Sequence, residues 1–240
     1  MPVRGVLFDV DDTLFDYGTS ERSGLLAYLA ELGLMDRFTG PDEAFALWSL
    51  IMEEEYARYL AGELAFEEQR CHRTRRFLSE IGCLPAKGMT DQEAAVWFAG
   101  YSVHRDAVSS AFPDAGPMLE TLTSSYRLGV VSNSSLQHQR HKLGRIGLLG
   151  YFGEALVCSE EHGAAKPEPS IFHAGCALLD LPPHEVAYVG DRHTVDAVGA
   201  RDALLRAYWL DRTGASTREG AEPGIRVIRS LAELPASLAD

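Results

Sequence analysis

A parallel α/β sheet carrying a large helical insertion is the architecture this sequence predicts, and three observations predict it. From about residue 113 onward, short apolar runs alternate with helical patterns. Another apolar run, Val6-Leu7-Phe8, stands apart near the start of the chain. The interval from Phe8 to Tyr126 far exceeds an ordinary crossover and reads almost wholly as helix. Strands separated by helices of ordinary length favour a parallel sheet with right-handed crossovers.

Taken in order, Val6 to Phe8 reads as a buried strand. Within the insertion, Leu25, Leu26, Leu29 and Leu32 share one helical face. Phe45, Trp48, Met52, Tyr56 and Tyr59 form a second stripe, read as bundle core rather than as a ligand box. Phe66 to Leu78 and Thr90 to Val103 have the spacing of two more helices. Beyond them, Tyr126 to Val131 reads as a strand and Leu136 to Leu148 as a helix, with Gly150 after its end. Ala155 to Cys158 is a short strand, and a helix follows from Pro169, a residue suited to a first helical turn, to about Leu179. Val186 to Val189 is a strand, Asp196 to Leu205 a helix, and Ala207 to Leu210 and Ile225 to Ile228 the last strands. The reading is a Rossmann-like core over residues 1–15 and 111–240, with a helical module over 16–110.

Composition narrows the function. Twenty-two basic against 35 acidic residues leave a net charge of −13, which disfavours binding to a nucleic-acid backbone. A hydrophobic fraction of 46% suits a substantial core. No apolar run is long enough to span a bilayer, so no membrane partner is expected. The four cysteines are widely spaced with no CxxC pair. They fit free thiols in a reducing compartment, and the cytoplasm is the expected location.

Four chemically notable spots fall at strand ends. The first is Asp9-Val10-Asp11-Asp12-Thr13. Two carboxylates at the end of a buried strand are costly unless something uses their charge. A hard cation such as Mg²⁺ is one use and nucleophilic or acid/base chemistry another. A polar strand exit that caps the next segment is the plain alternative. The second spot is Ser132-Asn133-Ser134, whose hydroxyl and backbone N–H groups suit a phosphoryl oxygen but also suit a turn. The third is Lys166-Pro167, notable because the chain has only Lys87, Lys142 and Lys166; a surface lysine before a helix is the competing reading. The fourth runs from Gly190 and Asp191 to Asp196. Gly190 permits close backbone approach, Asp191 would face the same crevice as Asp9 and Asp11, and Asp196 suits either that crevice or a helix cap. His193 reads as a loop histidine rather than a metal ligand.

In order and spacing, these spots resemble the signature set of the haloacid dehalogenase-like hydrolase superfamily. The match is DxDxT (Asp9 to Thr13), an apolar run ending in Ser132, Lys166-Pro167, and GDxxxxD (Gly190 to Asp196). Gly199-Ala200 also looks like the family, and the inserted helices resemble its cap. Asp12 departs from the pattern, since many members have Gly there.

The resemblance implies specific roles. Asp9 would be the nucleophile that forms an aspartyl-phosphate, and Asp11 the general acid and then base. Mg²⁺ would be held by Asp9, the carbonyl of Asp11, and Asp191. Ser132 and Lys166 would bind phosphoryl oxygens, with Thr13 and Asn133 beside them, and Asp196 and Gly190 in support. Asp11 favours phosphate esters over carbon–halide bonds, because halide leaves as an anion and needs no proton. Phosphonate cleavage in the family uses a cap lysine, and the insertion offers only Lys87. A dehalogenase and a noncatalytic interaction module are the alternatives, the second disfavoured because every expected catalytic position is filled. The family's cap selects the leaving group. Of Arg70, Arg73, Arg75 and Arg76 on one helix, Arg70 is the candidate for a second anionic group on a small phosphorylated substrate.

Overall fold

The computed structural model describes residues 2–83, 88–214 and 222–239. Lys87 therefore lies outside the described residues. The chain divides into two compact units, one of Met1–Asp16 with Ser110–Asp240 and one of Tyr17–Ser109.

The first unit is built on six parallel strands. Strand β1 is Gly5–Phe8, buried throughout, as a strand covered on both faces must be. Helices α1 (Tyr17–Glu31), α2 (Pro41–Leu60), α3 (Phe66–Glu80) and α4 (Asp91–Ala107) make up the second unit. The chain then returns through α5 (Ala115–Leu122), β2 (Arg127–Ser132), α6 (Leu136–Arg145), β3 (Leu156–Cys158) and the short α7 (Ser159–His162). It finishes with α8 (Pro169–Leu178), β4 (Val186–Gly190), α9 (Gly199–Asp202), β5 (Arg206–Leu210), β6 (Ile225–Ile228) and α10 (Leu234–Ala239).

Strand order is β3-β2-β1-β4-β5-β6, the doubly wound arrangement whose direction of growth reverses between β1 and β4. Phe8 pairs with Val130 of β2 and Val189 of β4, so the carboxyl ends of the three central strands lie level. On one face of the sheet, Leu7, Val131, Ile171, Phe172 and Tyr188 share a core with Ala197 and Ala200. Burial of each large apolar side chain there contributes roughly 1.5–3 kcal/mol.

Several local expectations need correction. Helix α6 stops at Arg145 rather than Leu148, because Gly147 at φ +75° turns the chain before Gly150 is reached. The helix expected over Asp196–Leu205 begins instead as a π-helical turn at His193–Val198 and ends with α9 at Asp202. Leu32 falls past the end of α1 and is 41% exposed, so it does not extend the Leu25–Leu29 stripe. In α2 the buried line is Ala44, Trp48, Ile51 and Glu55, not the line through Met52 and Tyr56. Apolar periodicity misses it because Glu55 is buried by ion pairs to Arg58 and Arg76. Helix α5 was not anticipated: its buried Ala115, Met118, Leu119 and Leu122 have helical spacing, but Gly116-Pro117 resembles a loop. Pro117 falls in the first turn, where its missing N–H costs nothing.

The second unit packs Leu25, Tyr28, Trp48, Phe77, Trp97 and Tyr101 into its own core. Within it, Glu21 is ion-paired with Arg73, both side chains being at most 4% exposed. Trp48 Nε1 and the Tyr17 hydroxyl donate to the same Glu21 oxygen, each at 3.0 Å. The Arg73 guanidinium lies 3.9 Å from the centre of the Trp48 ring. Arg73 is thus a core residue. Replacing it with Ala strands the Glu21 charge, so Arg73→Ala should destabilise the chain by about 3–5 kcal/mol in urea unfolding. A variant of wild-type stability would show that the pair does not hold this core.

Candidate active site

The carboxyl ends of β1, β2 and β4, with the loop before α8, bring Asp9, Asp11, Ser132, Lys166, Asp191 and Asp196 to one place, whereas Arg70 belongs to the helical unit. Asp9 follows β1 directly, and its N–H donates to the Val189 carbonyl of β4 at 2.9 Å. Asp191 follows β4, held by a 2.8 Å bond from Trp209 Nε1 to its carbonyl. Ser132 closes β2. Asp12 has φ +55°, the left-handed region that glycine enters freely and Asp tolerates. The turn therefore explains both a glycine preference at this position and the acceptability of Asp12.

Lys166 is the centre of the polar network. Its ammonium donates to Asp9 Oδ1 (2.6 Å), Asp196 Oδ1 (2.7 Å) and the Tyr188 hydroxyl (2.8 Å), which uses all three donors. Burial opposes its charge, but Asp196 and Asp9 outweigh burial and hold the lysine protonated. Asn133 clamps the loop that carries it: the Asn133 amide donates to the Lys166 carbonyl at 2.9 Å and accepts from the Lys166 N–H at 2.7 Å. The Asn133 side chain thus reaches the site through the Lys166 peptide.

Asp196 has two attachments. Its Oδ1 takes the lysine, and its Oδ2 accepts from the Arg192 N–H at 3.0 Å, pinning the start of the π-helical turn. Of the two roles foreseen for Asp196, the helix N-cap is not what the structure shows: Arg192 occupies that position, and Asp196 lies inside the turn and reaches back to the Arg192 N–H. Gly190 makes this possible. A Cβ there would lie 2.4 Å from the Asp196 carboxyl carbon, so a side chain at 190 would push Asp196 off Lys166. Thr13 is wholly buried, and its carbonyl accepts from Arg212 Nη2 at 2.9 Å. Arg212 also grips Asp114 with two 3.0 Å bonds, fixing the loop after β1 to the segment that re-enters the core.

The electrostatics are lopsided. Asp9, Asp191 and Asp196 each offer an oxygen within 4.8 Å of the others, with one ammonium among them. Burial, then its carboxylate neighbours, push Asp191 up to about 9. Burial also lifts Asp9, to about 7, although Lys166 pulls the other way. Both Asp196 oxygens accept hydrogen bonds, from Lys166 and from the Arg192 N–H, whereas Lys166 takes one oxygen of Asp9, so Asp9 and Asp191 are the pair with acceptor capacity to spare. An all-oxygen donor set with surplus negative charge is what a hard divalent cation requires. The residues present fit such an ion.

Sequence reasoning missed Tyr188, Gln139, Lys142 and Arg212. Tyr188 passed for a sheet residue, although a tyrosine in a fully buried strand needs a partner for its hydroxyl. Gln139 and Lys142 lie on α6, where nothing local connects them to Asp11. Of the four arginines on α3, Arg75 is paired with Asp91 and Arg76 with Glu54 and Glu55. Arg70 is paired with Glu67 at 2.7 Å and stacked over Phe66 and Phe98.

Comparison with known proteins identifies the family and the fold. The haloacid dehalogenase-like hydrolase family matches residues 3–203. A glyceraldehyde 3-phosphate phosphatase of Methanopyrus kandleri is 34% identical, over 84% of this chain and 81% of that protein. The N-acylneuraminate-9-phosphatase of Homo sapiens is 27% identical, over 98% of this chain and 94% of that protein. Among solved structures, the magnesium-bound putative HAD-hydrolase YfnB of Bacillus subtilis superposes with a TM-score of 0.80 at 22% identity, over 100% of both chains. Several 2-haloacid dehalogenases share the fold as well. The chain belongs to the haloacid dehalogenase-like hydrolase family.

Proposed function

We propose that this hydrolase cleaves phosphate monoesters of small metabolites through an aspartyl-phosphate on Asp9, with Mg²⁺ as cofactor. The observation that carries the reading is Asp11, a second carboxylate on the same loop whose side chain is 36% exposed. It supplies the acid/base group that ester cleavage requires and that halide displacement does not. The phosphatases among the sequence relatives support the same choice.

In this reading an Asp9 oxygen attacks phosphorus in line, and the bond to the ester oxygen breaks. Asp11 gives its proton to the departing alkoxide. Water then attacks the phosphoryl group, Asp11 takes a proton from it, and the Asp9–phosphorus link breaks to release phosphate. Ser132 and Lys166 hold the phosphoryl oxygens, Thr13 orients the loop, and Asn133 acts through the Lys166 backbone it clamps. Asp9 and Asp191, with the carbonyl of Asp11, would hold Mg²⁺, which supplies positive charge beside an incoming dianion. Leaving-group selection is assigned to the helical unit, with Arg70 as the candidate for a second anionic group.

Asp9→Asn should cut p-nitrophenyl phosphate hydrolysis by about 10³-fold or more while the fold is retained. Activity above a few per cent of wild type would remove Asp9 as nucleophile. Dialysis against EDTA should abolish turnover and Mg²⁺ should restore it; full activity in EDTA would refute the cofactor assignment.

A stability measurement tests the same site without catalysis. A carboxyl raised in the folded state lowers stability once pH passes its unfolded value of 3.8, and the penalty is complete above its folded value. For Asp9 that point is about 7 and for Asp191 about 9, so the metal-free protein loses stability across this range as pH rises. In EDTA at about pH 8, Asp191→Asn should melt at a higher temperature than wild type. Added Mg²⁺ should raise the melting temperature of wild type more than that of the variant. An Asp191→Asn variant that melts lower in EDTA and gains equally from Mg²⁺ would contradict the assignment.

A further inference from the structure

The structure places two side chains of α6 against Asp11. Lys142 is ion-paired with Asp11 Oδ1, and its side chain is only 5% exposed. Gln139, one turn earlier and wholly buried, donates from Nε2 to Asp11 Oδ2 at 3.3 Å and to Ser132 Oγ at 2.9 Å. The Lys142 ammonium also lies 5.0 Å from the centre of the Phe15 ring, on the turn that returns from Asp11. A bridge between Asp11 and Phe15 closes that turn.

A lysine and a glutamine buried at i and i+3 on one helix face are expensive unless their polar ends are satisfied. Here the Lys142 ammonium and the Gln139 amide nitrogen are turned to the same carboxylate, one to each oxygen, while Gln139 Oε1 stays buried without a hydrogen-bond partner among the described residues. The start of α6 is fixed by the Ser135 hydroxyl, which accepts from the His138 N–H at 3.3 Å, so the helix is seated directly after the Ser132 loop. One amide therefore sets the separation between Ser132 and Asp11. We propose that Gln139 and Lys142 are positioning residues that fix the Asp11 carboxylate for proton transfer. The proposal rests on the phosphatase reading above and adds two residues to it that act through Asp11.

If Lys142 acts through Asp11, its removal matters only while Asp11 is present. Lys142→Met should lower kcat on p-nitrophenyl phosphate by about 10–100-fold, a loss of the size expected from misplacing a catalytic group. KM should change by no more than about threefold, and Lys142→Arg should recover part of kcat. In an Asp11→Asn background the same Lys142→Met change should cost less than about threefold, because coupled residues are not additive. Equal losses in the two backgrounds, or a wild-type kcat for Lys142→Met, would overturn the proposal and leave the phosphatase reading standing. Wild-type protein without Asp9-dependent phosphate release would overturn both. Thermal unfolding is followed in parallel; if Lys142→Met does not fold, Gln139→Leu carries the same cycle with the same two outcomes.

Discussion

The site depends on one ammonium held among buried carboxylates. Lys166 touches Asp9, Asp196 and Tyr188 at once, and each of these sits on a different part of the chain. Much of the surrounding architecture serves to make that contact possible. Parallel pairing of β1 with β4 brings Asp9 beside the Tyr188 strand. Gly190 leaves the space into which Asp196 turns, and Asn133 locks the peptide of Lys166 itself. Even so, one cation does not balance three carboxylates, which is why burial leaves Asp9 and Asp191 with raised affinities for protons. That surplus is the physical reason the site suits a divalent cation, and a phosphoryl dianion with it.

Much of the fold was legible because parallel strands buried on both faces appear as short apolar runs, and helices between them leave little topological freedom. The strand ends were legible for a second reason: carboxylates at the end of an apolar run have few uses. Helix boundaries were less so. Gly147 rather than Gly150 stops α6, because the left-handed turn depends on which residue follows the last helical hydrogen bond. Buried ion pairs were least visible. Glu55 and Arg73 look like surface residues in sequence, yet Glu55 is buried beneath the exposed Arg58 and Arg76, and Arg73 lies in the interior with Glu21. Gln139 and Lys142 escaped for the same reason. Their partner, Asp11, lies more than a hundred positions away in the chain, and no periodicity encodes a contact of that range.

The fold itself does not choose between phosphorus and carbon, since dehalogenases and phosphatases both resemble this chain. The choice rests on Asp11 and on how it is held. In the proposed reading Asp11, part-exposed and held at both oxygens by donors from α6, is the proton carrier, and a leaving halide has no use for one. The acidic residue thereby connects a local feature of the first loop to the chemistry of the whole site.

The central claim is that phosphorus passes through Asp9, so hydrolysis takes two displacements rather than one. The stereochemical course measures this directly. An ester made chiral at phosphorus with oxygen isotopes is hydrolysed in isotopically labelled water, and the configuration of the released phosphate is determined. Two in-line displacements, first by Asp9 and then by water, predict overall retention. Inversion would mean a single direct attack by water, and Asp9 would then not be the nucleophile.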